Sequence, residues 1–168
     1  MSKPLSTDLT PANITKVMEM LAEGPTRLEA LRQSVSAQKL RQPLGKGERT
    51  PTEVLAHMLN GEAISSEMIY QALLVKEPSF AAIHPEREWG KLLRFDLLDF
   101  SELQAYFSVR RKVLLRVLSG LQEKDWARAV REEGKQRKES VYWRARGIAM
   151  HELEHLGDLE KKLKISTK

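Results

Sequence analysis

The chain carries four histidines, at positions 57, 84, 151 and 155. The last two bracket the run His151-Glu152-Leu153-Glu154-His155, which reads as H-E-x-x-H. On a helix, residues i and i+4 differ by only about 40° in azimuth, so His151 and His155 project from one face. Neutral imidazole is the commonest protein ligand for a borderline metal such as zinc, and two imidazoles on adjacent turns can chelate one ion. Glu152, between them, could accept a proton from water activated by that ion. It could equally be a solvated glutamate or one paired across helices. His57 lies on a separate stripe with Gly61, Ile64 and Met68, at the spacing of a bundle seam. His151 and His155 share a comparable stripe with Arg144, Ile148 and Leu159. Three seam-facing imidazoles from two helices would form a three-nitrogen site with positions left for water or substrate, as in catalytic rather than closed structural zinc sites. His84, beside Pro85 in a connection, reads as a surface residue.

The literal protease meaning of H-E-x-x-H does not survive its surroundings. Those enzymes take a third ligand downstream, either an acidic residue well beyond the motif or a histidine six residues after the second. Here Glu160 stands too close for the first pattern, position 161 is lysine, and Asp158 occupies the place of the second pattern's glycine. A protease would also want an edge strand for an extended substrate, and the sequence offers no convincing strand pair.

The elements that would position these histidines are four amphipathic helices. Thr10-Pro11 puts a capping residue before a proline at the first helical position, and Ile14, Val17, Met18, Leu21, Leu28, Leu31 and Val35 follow. Gly24-Pro25 predicts a kink or restart within that run. Thr50-Pro51-Thr52-Glu53 is a capping box, opening a helix that should end near Val75. Asp99 and Glu102 start a third helix to about Leu121, with Leu103, Phe107, Arg110, Leu114, Val117 and Leu121 as its seam. The fourth, capped by Ser140, runs from about Val141 to Leu163 and carries the histidine pair. Residues 76–98 and 122–140, marked by Pro78, Pro85, Gly90 and Gly134, read as two long connections. The expected architecture is all-α, a four-helix bundle with long crossover connections, in a single domain over residues 1–168 with its core at about 11–164.

Composition narrows the setting. With 168 residues and 41% hydrophobic content the chain can bury a real core. It has no cysteine, which excludes disulfides and thiolate ligands and agrees with a cytoplasmic protein. The first residues hold no apolar stretch of the kind a signal peptide needs, and no run approaches the ~18 residues that span a bilayer. The net charge is +5, and between Arg128 and Arg146 seven Lys/Arg oppose three Glu. No aromatics interleave with those charges in a nucleic-acid motif and no glycine-rich phosphate loop precedes a helix, so the segment is expected to be a solvated surface.

Taken together, Thr52-Glu53-Val54-Leu55-Ala56-His57-Met58-Leu59 through Glu62, the closing His151 to Asp158, and Leu118 to Arg128 with Asp125-Trp126 resemble a DinB-like protein, from a superfamily of metal-binding four-helix bundles. The resemblance covers residues 12 to 163, and its motifs are short but correctly ordered. It implies that His57, His151 and His155 hold one divalent ion, often zinc or nickel, with water completing the shell. Asp158 stands where glutamine is common in the family. Some relatives are transferases or isomerases using a low-molecular-weight thiol, and many form homodimers. The resemblance therefore suggests a thiol-dependent transferase, in which Arg110 and Arg144 could hold the thiol's carboxylate. The alternatives are a non-catalytic, stress-associated metal- or ligand-binding protein and a metal-dependent hydrolase, either acting on a small molecule.

Overall fold

Four long helices carry the chain in the computed structural model, which describes residues 5–165. They are α1 (Pro11–Ser34), α2 (Pro51–Leu74), α3 (Phe100–Ser119) and α4 (Val141–Leu163). Each begins where its capping residues require. Thr10 and Ser140 accept from the backbone amides of Asn13 and Trp143, while Thr50/Glu53 and Asp99/Glu102 form full capping boxes. Such a cap contributes roughly 1 kcal/mol by satisfying amides that the first turn leaves unpaired.

Helix α1 continues through Gly24-Pro25, where the sequence predicts an interruption. The pair is used differently. Pro25 has no N–H to give to the carbonyl four residues before it, Leu21, and that carbonyl instead accepts from Arg111 Nη1 of α3 at 2.8 Å. Gly24 supplies the room, since a Cβ there would lie 3.2 Å from Arg111 Nη1 and 3.3 Å from Glu152 Oε2. What reads as a break is a notch for a guanidinium.

Helix α1 packs against α3 and α4, and α2 packs against the same two. The sequential pairs α1/α2 and α3/α4 are therefore diagonal, and the crossovers are residues 35–50 and 120–140, with 75–99 joining neighbours. The expected crossover at 76–98 is corrected accordingly. Apolar residues fill two clusters along the bundle, one around Leu28, Leu55, Leu59, Leu103 and Leu156, the other around Val17, Met68, Leu114, Leu118 and Val141. Between them lies a polar brace. Arg111, fully buried, donates to Glu152 of α4 through both terminal nitrogens, to Glu62 Oε2 of α2 at 3.2 Å, and to the Leu21 carbonyl of α1. The buried face of α3 is thus Leu103, Phe107, Arg111, Leu114 and Leu118: Arg111 and Leu118 take the places expected for Arg110 and Val117, and Leu121 lies beyond the helix's end at Ser119. The bonds to Glu62, Glu152 and Leu21 let a charged side chain occupy the seam.

The connections hold more structure than their composition predicts. Strands β1 (Ser79–Phe80), β2 (Ala129–Glu132) and β3 (Lys138–Ser140) form a small sheet in the order β1-β2-β3. Ser79 pairs in parallel with Arg131, and Val130 lies antiparallel to Glu139. Strands of two to four residues cannot display a two-residue alternation, so the sequence gives no warning of them. The basic segment is largely consumed internally. Arg128 and Arg146 donate to backbone carbonyls, Lys135 and Arg144 pair with Glu132, Lys138 pairs with Glu77, and Arg137 stacks on Trp143. Among the described residues no helix is long and apolar enough to cross a membrane.

Candidate metal centre

His57 stands in the second turn of α2, behind the Thr50/Glu53 box, and His151 and His155 stand on the facing side of α4. The packing of α2 on α4 brings the three together. His151 Nε2 is 3.0 Å from His57 Nε2 and 3.1 Å from His155 Nε2. The rings meet edge-on, with interplanar angles of 62°, 87° and 84°. Gly61 lies under His151, where a Cβ would already touch the ring at 3.4 Å.

The electrostatics favour neutral rings with free lone pairs. Burial, reinforced by the neighbouring His155 and His57, pushes His151 down to about 4. Burial and His57 also lower His155. On the far side of His57, Nδ1 lies 2.6 Å from Glu86 Oε1. Burial raises Glu86, but the bonds from His57 and Asn60 and the charge of Arg49 outweigh it and hold the carboxyl below its usual range. An ionised carboxylate only accepts, so Nδ1 of His57 donates to Glu86, and Nε2 is the nitrogen turned toward His151. Three nitrogens about 2.1 Å from one ion would stand ~3.0 Å apart at right angles and ~3.4 Å apart at tetrahedral angles, and the two separations seen lie at the narrow end of that range. The donor set and its spacing fit a divalent ion.

A model of the DinB superfamily matches residues 20–159. The chain belongs to that superfamily. This DinB-type bundle is also similar to a solved structure, YfiT from Bacillus subtilis, with a TM-score of 0.77 and 16% identity over 98% of this chain and 95% of that one. YfiT is described as "a probable metal-dependent hydrolase with an unusual four-helix bundle topology". At that identity the likeness establishes the shared fold. No curated protein matches the chain.

Other residues of this DinB-type protein take places the sequence left open. Glu152 points into the bundle, where it is 3% exposed and held by both terminal nitrogens of Arg111. Burial raises its carboxyl, against the opposing pull of Arg111. Of the open alternatives for Glu152, cross-helix pairing is the one observed. Arg110 donates to Ser66 Oγ at 2.8 Å and Arg144 pairs with Glu132 and Glu139, so both are engaged within the protein. Each imidazole borders its own cavity. One of about 390 Å³ lies beside His57 and Glu86, one of about 380 Å³ beside His151 and Glu62, and one of about 230 Å³ beside His155 and Asp158.

Sequence reasoning missed Glu86 and Arg111. Glu86 sits in the Pro85–Gly90 turn, outside every periodic segment. Arg111 had only an ambiguous signal, because positions 110 and 111 both fit the three- and four-residue spacing between Phe107 and Leu114, and both are arginine. His84 is exposed, as expected, yet its Nδ1 accepts from the amides of Glu86 and Arg87 and so caps that turn.

Proposed function

We propose that this protein is a divalent-metal-dependent hydrolase of a small-molecule substrate, with the ion held by His57, His151 and His155. The observation that carries the reading is the convergence of three imidazole nitrogens at 3.0 and 3.1 Å from two helices. Zinc and nickel both suit imidazole donors. When bound, such an ion supplies Lewis acidity and makes water a nucleophile near neutral pH. The chain's own contribution is to bring three imidazole nitrogens together, with burial favouring the neutral form of His151 and His155, and with cavities alongside for the substrate. Glu152 is not assigned the proton-accepting role, because Arg111 occupies its oxygens. Glu62 also lines the cavity beside His151, and its Oε1 is without a partner among the described residues.

A thiol-dependent transferase is the second reading, and the absence of cysteine would leave its nucleophile to a cosubstrate. Hydrolysis is placed first because Arg110 and Arg144, the side chains expected to hold a thiol's carboxylate, already have partners. The test is elemental analysis of wild-type and His57→Ala protein purified without an affinity tag, followed by turnover of ester and amide panels with and without added thiols. The expected result is a stoichiometric ion lost in His57→Ala and turnover that needs no thiol. Turnover only with a thiol would replace the hydrolase by the transferase. Metal binding without turnover in either panel would leave a binding protein. Full metal content in His57→Ala would overturn the centre itself.

A further inference from the structure

The contact between Glu86 and His57 is the shortest polar contact to the histidine cluster, and it comes from a connection rather than a helix. Glu86 Oε2 also faces Arg49, but at 3.5 Å and with Arg49 about half exposed, so His57 is its principal partner. The turn that presents Glu86 is fixed at both ends. At its start, His84 Nδ1 accepts from the amides of Glu86 and Arg87 at 3.2 Å each, and the His84 amide donates to Glu88 Oε2 at 2.7 Å. At its end, Gly90 lies directly on α2. A Cβ at that position would come within 2.8 Å of Asn60 Nδ2, the same nitrogen that donates to Glu86 Oε1 at 3.4 Å.

We propose that Glu86 is the positioning residue of the metal centre, fixing His57 in the Nδ1–H form and setting the rotation of its ring, with the His84-capped turn as its mount. The proposal rests on the reading of His57 as a ligand. An imidazole free to rotate presents either nitrogen, or neither, to an ion. A carboxylate at 2.6 Å from Nδ1 selects one tautomer and one ring orientation, and it makes Nε2 a stronger donor. Loss of a partner of this kind costs about 10- to 100-fold in metal affinity. The other two imidazoles lack such a partner among the described residues. All three are half-buried, so burial alone does not orient them, and His57 is the ligand with an orienting carboxylate.

The test uses zinc as probe, on the full chain. Affinity is measured by competition with a chelator for wild type, Glu86→Ala, Glu86→Gln, Gly90→Ala and His57→Ala, and the tautomer of His57 is read from long-range ¹H–¹⁵N spectra. Glu86→Ala is expected to bind zinc about 10- to 100-fold more weakly and to lose the Nδ1–H signature, with its helical circular dichroism intact. Glu86→Gln keeps an oxygen that can accept from Nδ1–H, so it should retain the tautomer and lose less affinity. Gly90→Ala should weaken zinc with Glu86 still in place, because either the turn or the Asn60 amide that donates to Glu86 must shift. If Glu86→Ala binds zinc like wild type while His57→Ala does not, the positioning role is refuted and the centre stands. If His57→Ala also binds like wild type, the reading of the centre fails first. Unchanged affinity in Gly90→Ala would remove the turn's part in the proposal.

Discussion

Replacing Arg111 with methionine would leave two buried carboxylates and one carbonyl without their shared donor. Glu62 and Glu152 are 2% and 3% exposed, so water cannot reach them without opening the bundle. Removing one partner of a buried ion pair costs about 3–5 kcal/mol, because the remaining charge keeps its desolvation penalty. In a chain of this size 1 kcal/mol shifts Tm by roughly 2–4 °C, so a fall of about 6–20 °C is expected. The assay is urea unfolding in the presence of a chelator, which keeps metal binding out of the comparison. A second variant, Arg111→Met with Glu62→Leu and Glu152→Leu, removes all three charges at once and should recover most of the loss, since apolar replacement of a buried triad is often neutral or stabilising. The penalty should also depend on pH. Burial already raises the Glu152 carboxyl, and without the opposing guanidinium it rises further, while the unfolded value stays near ~4.3. A folded state that holds its proton more tightly than the unfolded one loses stability as pH rises through that window. The single variant should therefore be least destabilised near about pH 5 and most above about pH 7.5. A loss below ~1 kcal/mol, or one equal at both pH values, would refute the account of the brace.

Three further outcomes follow from the same geometry. At free metal 100 times its Kd, binding adds about 2.7 kcal/mol, so chelation should lower Tm by ~5–11 °C in wild type and not in His57→Ala, as read by calorimetry. Glu152→Gln should reduce stability by about 1–3 kcal/mol yet leave turnover per metal-loaded, folded molecule nearly unchanged, whereas loss of a true general base costs ~10²–10⁴-fold. Gly24→Leu fills the notch occupied by Arg111 and should destabilise by at least ~1–3 kcal/mol in urea, with the loss much smaller when Arg111 is also replaced by methionine.

Much of this molecule is legible in its sequence, and the exceptions have physical reasons. All four long helices start at the residues whose side chains cap them, because a cap acts within one turn and is written locally. His57, His151 and His155 were marked by seam spacing, and the fold brings them together. Gly24-Pro25 reads as a break in the sequence yet lies inside α1, because a proline's effect on a helix depends on what else can reach the freed carbonyl, and Arg111 lies 90 residues away in sequence. The sequence does not separate Arg110 from Arg111 as the seam residue, because both are arginine and both fit the spacing from Phe107 to Leu114; the buried partners Glu62 and Glu152 decide it. Glu86 escaped notice for a related reason: its role depends on a turn, a capping histidine and a glycine against α2, none of which has a period.

The brace through Arg111 has a consequence for the H-E-x-x-H motif itself. A helix in a bundle can slide along its neighbours by a turn and still bury much the same apolar surface, since leucines are interchangeable partners. Glu152 is not interchangeable, because one turn of slippage would strand its charge away from the Arg111 guanidinium that holds it. His151 and His155 sit directly beside and one turn from that anchor point. The motif's glutamate thereby sets the axial register of α4, and with it the height at which both imidazoles arrive opposite His57. The acid and the histidines of this motif belong to different interactions, yet the first determines whether the second can converge.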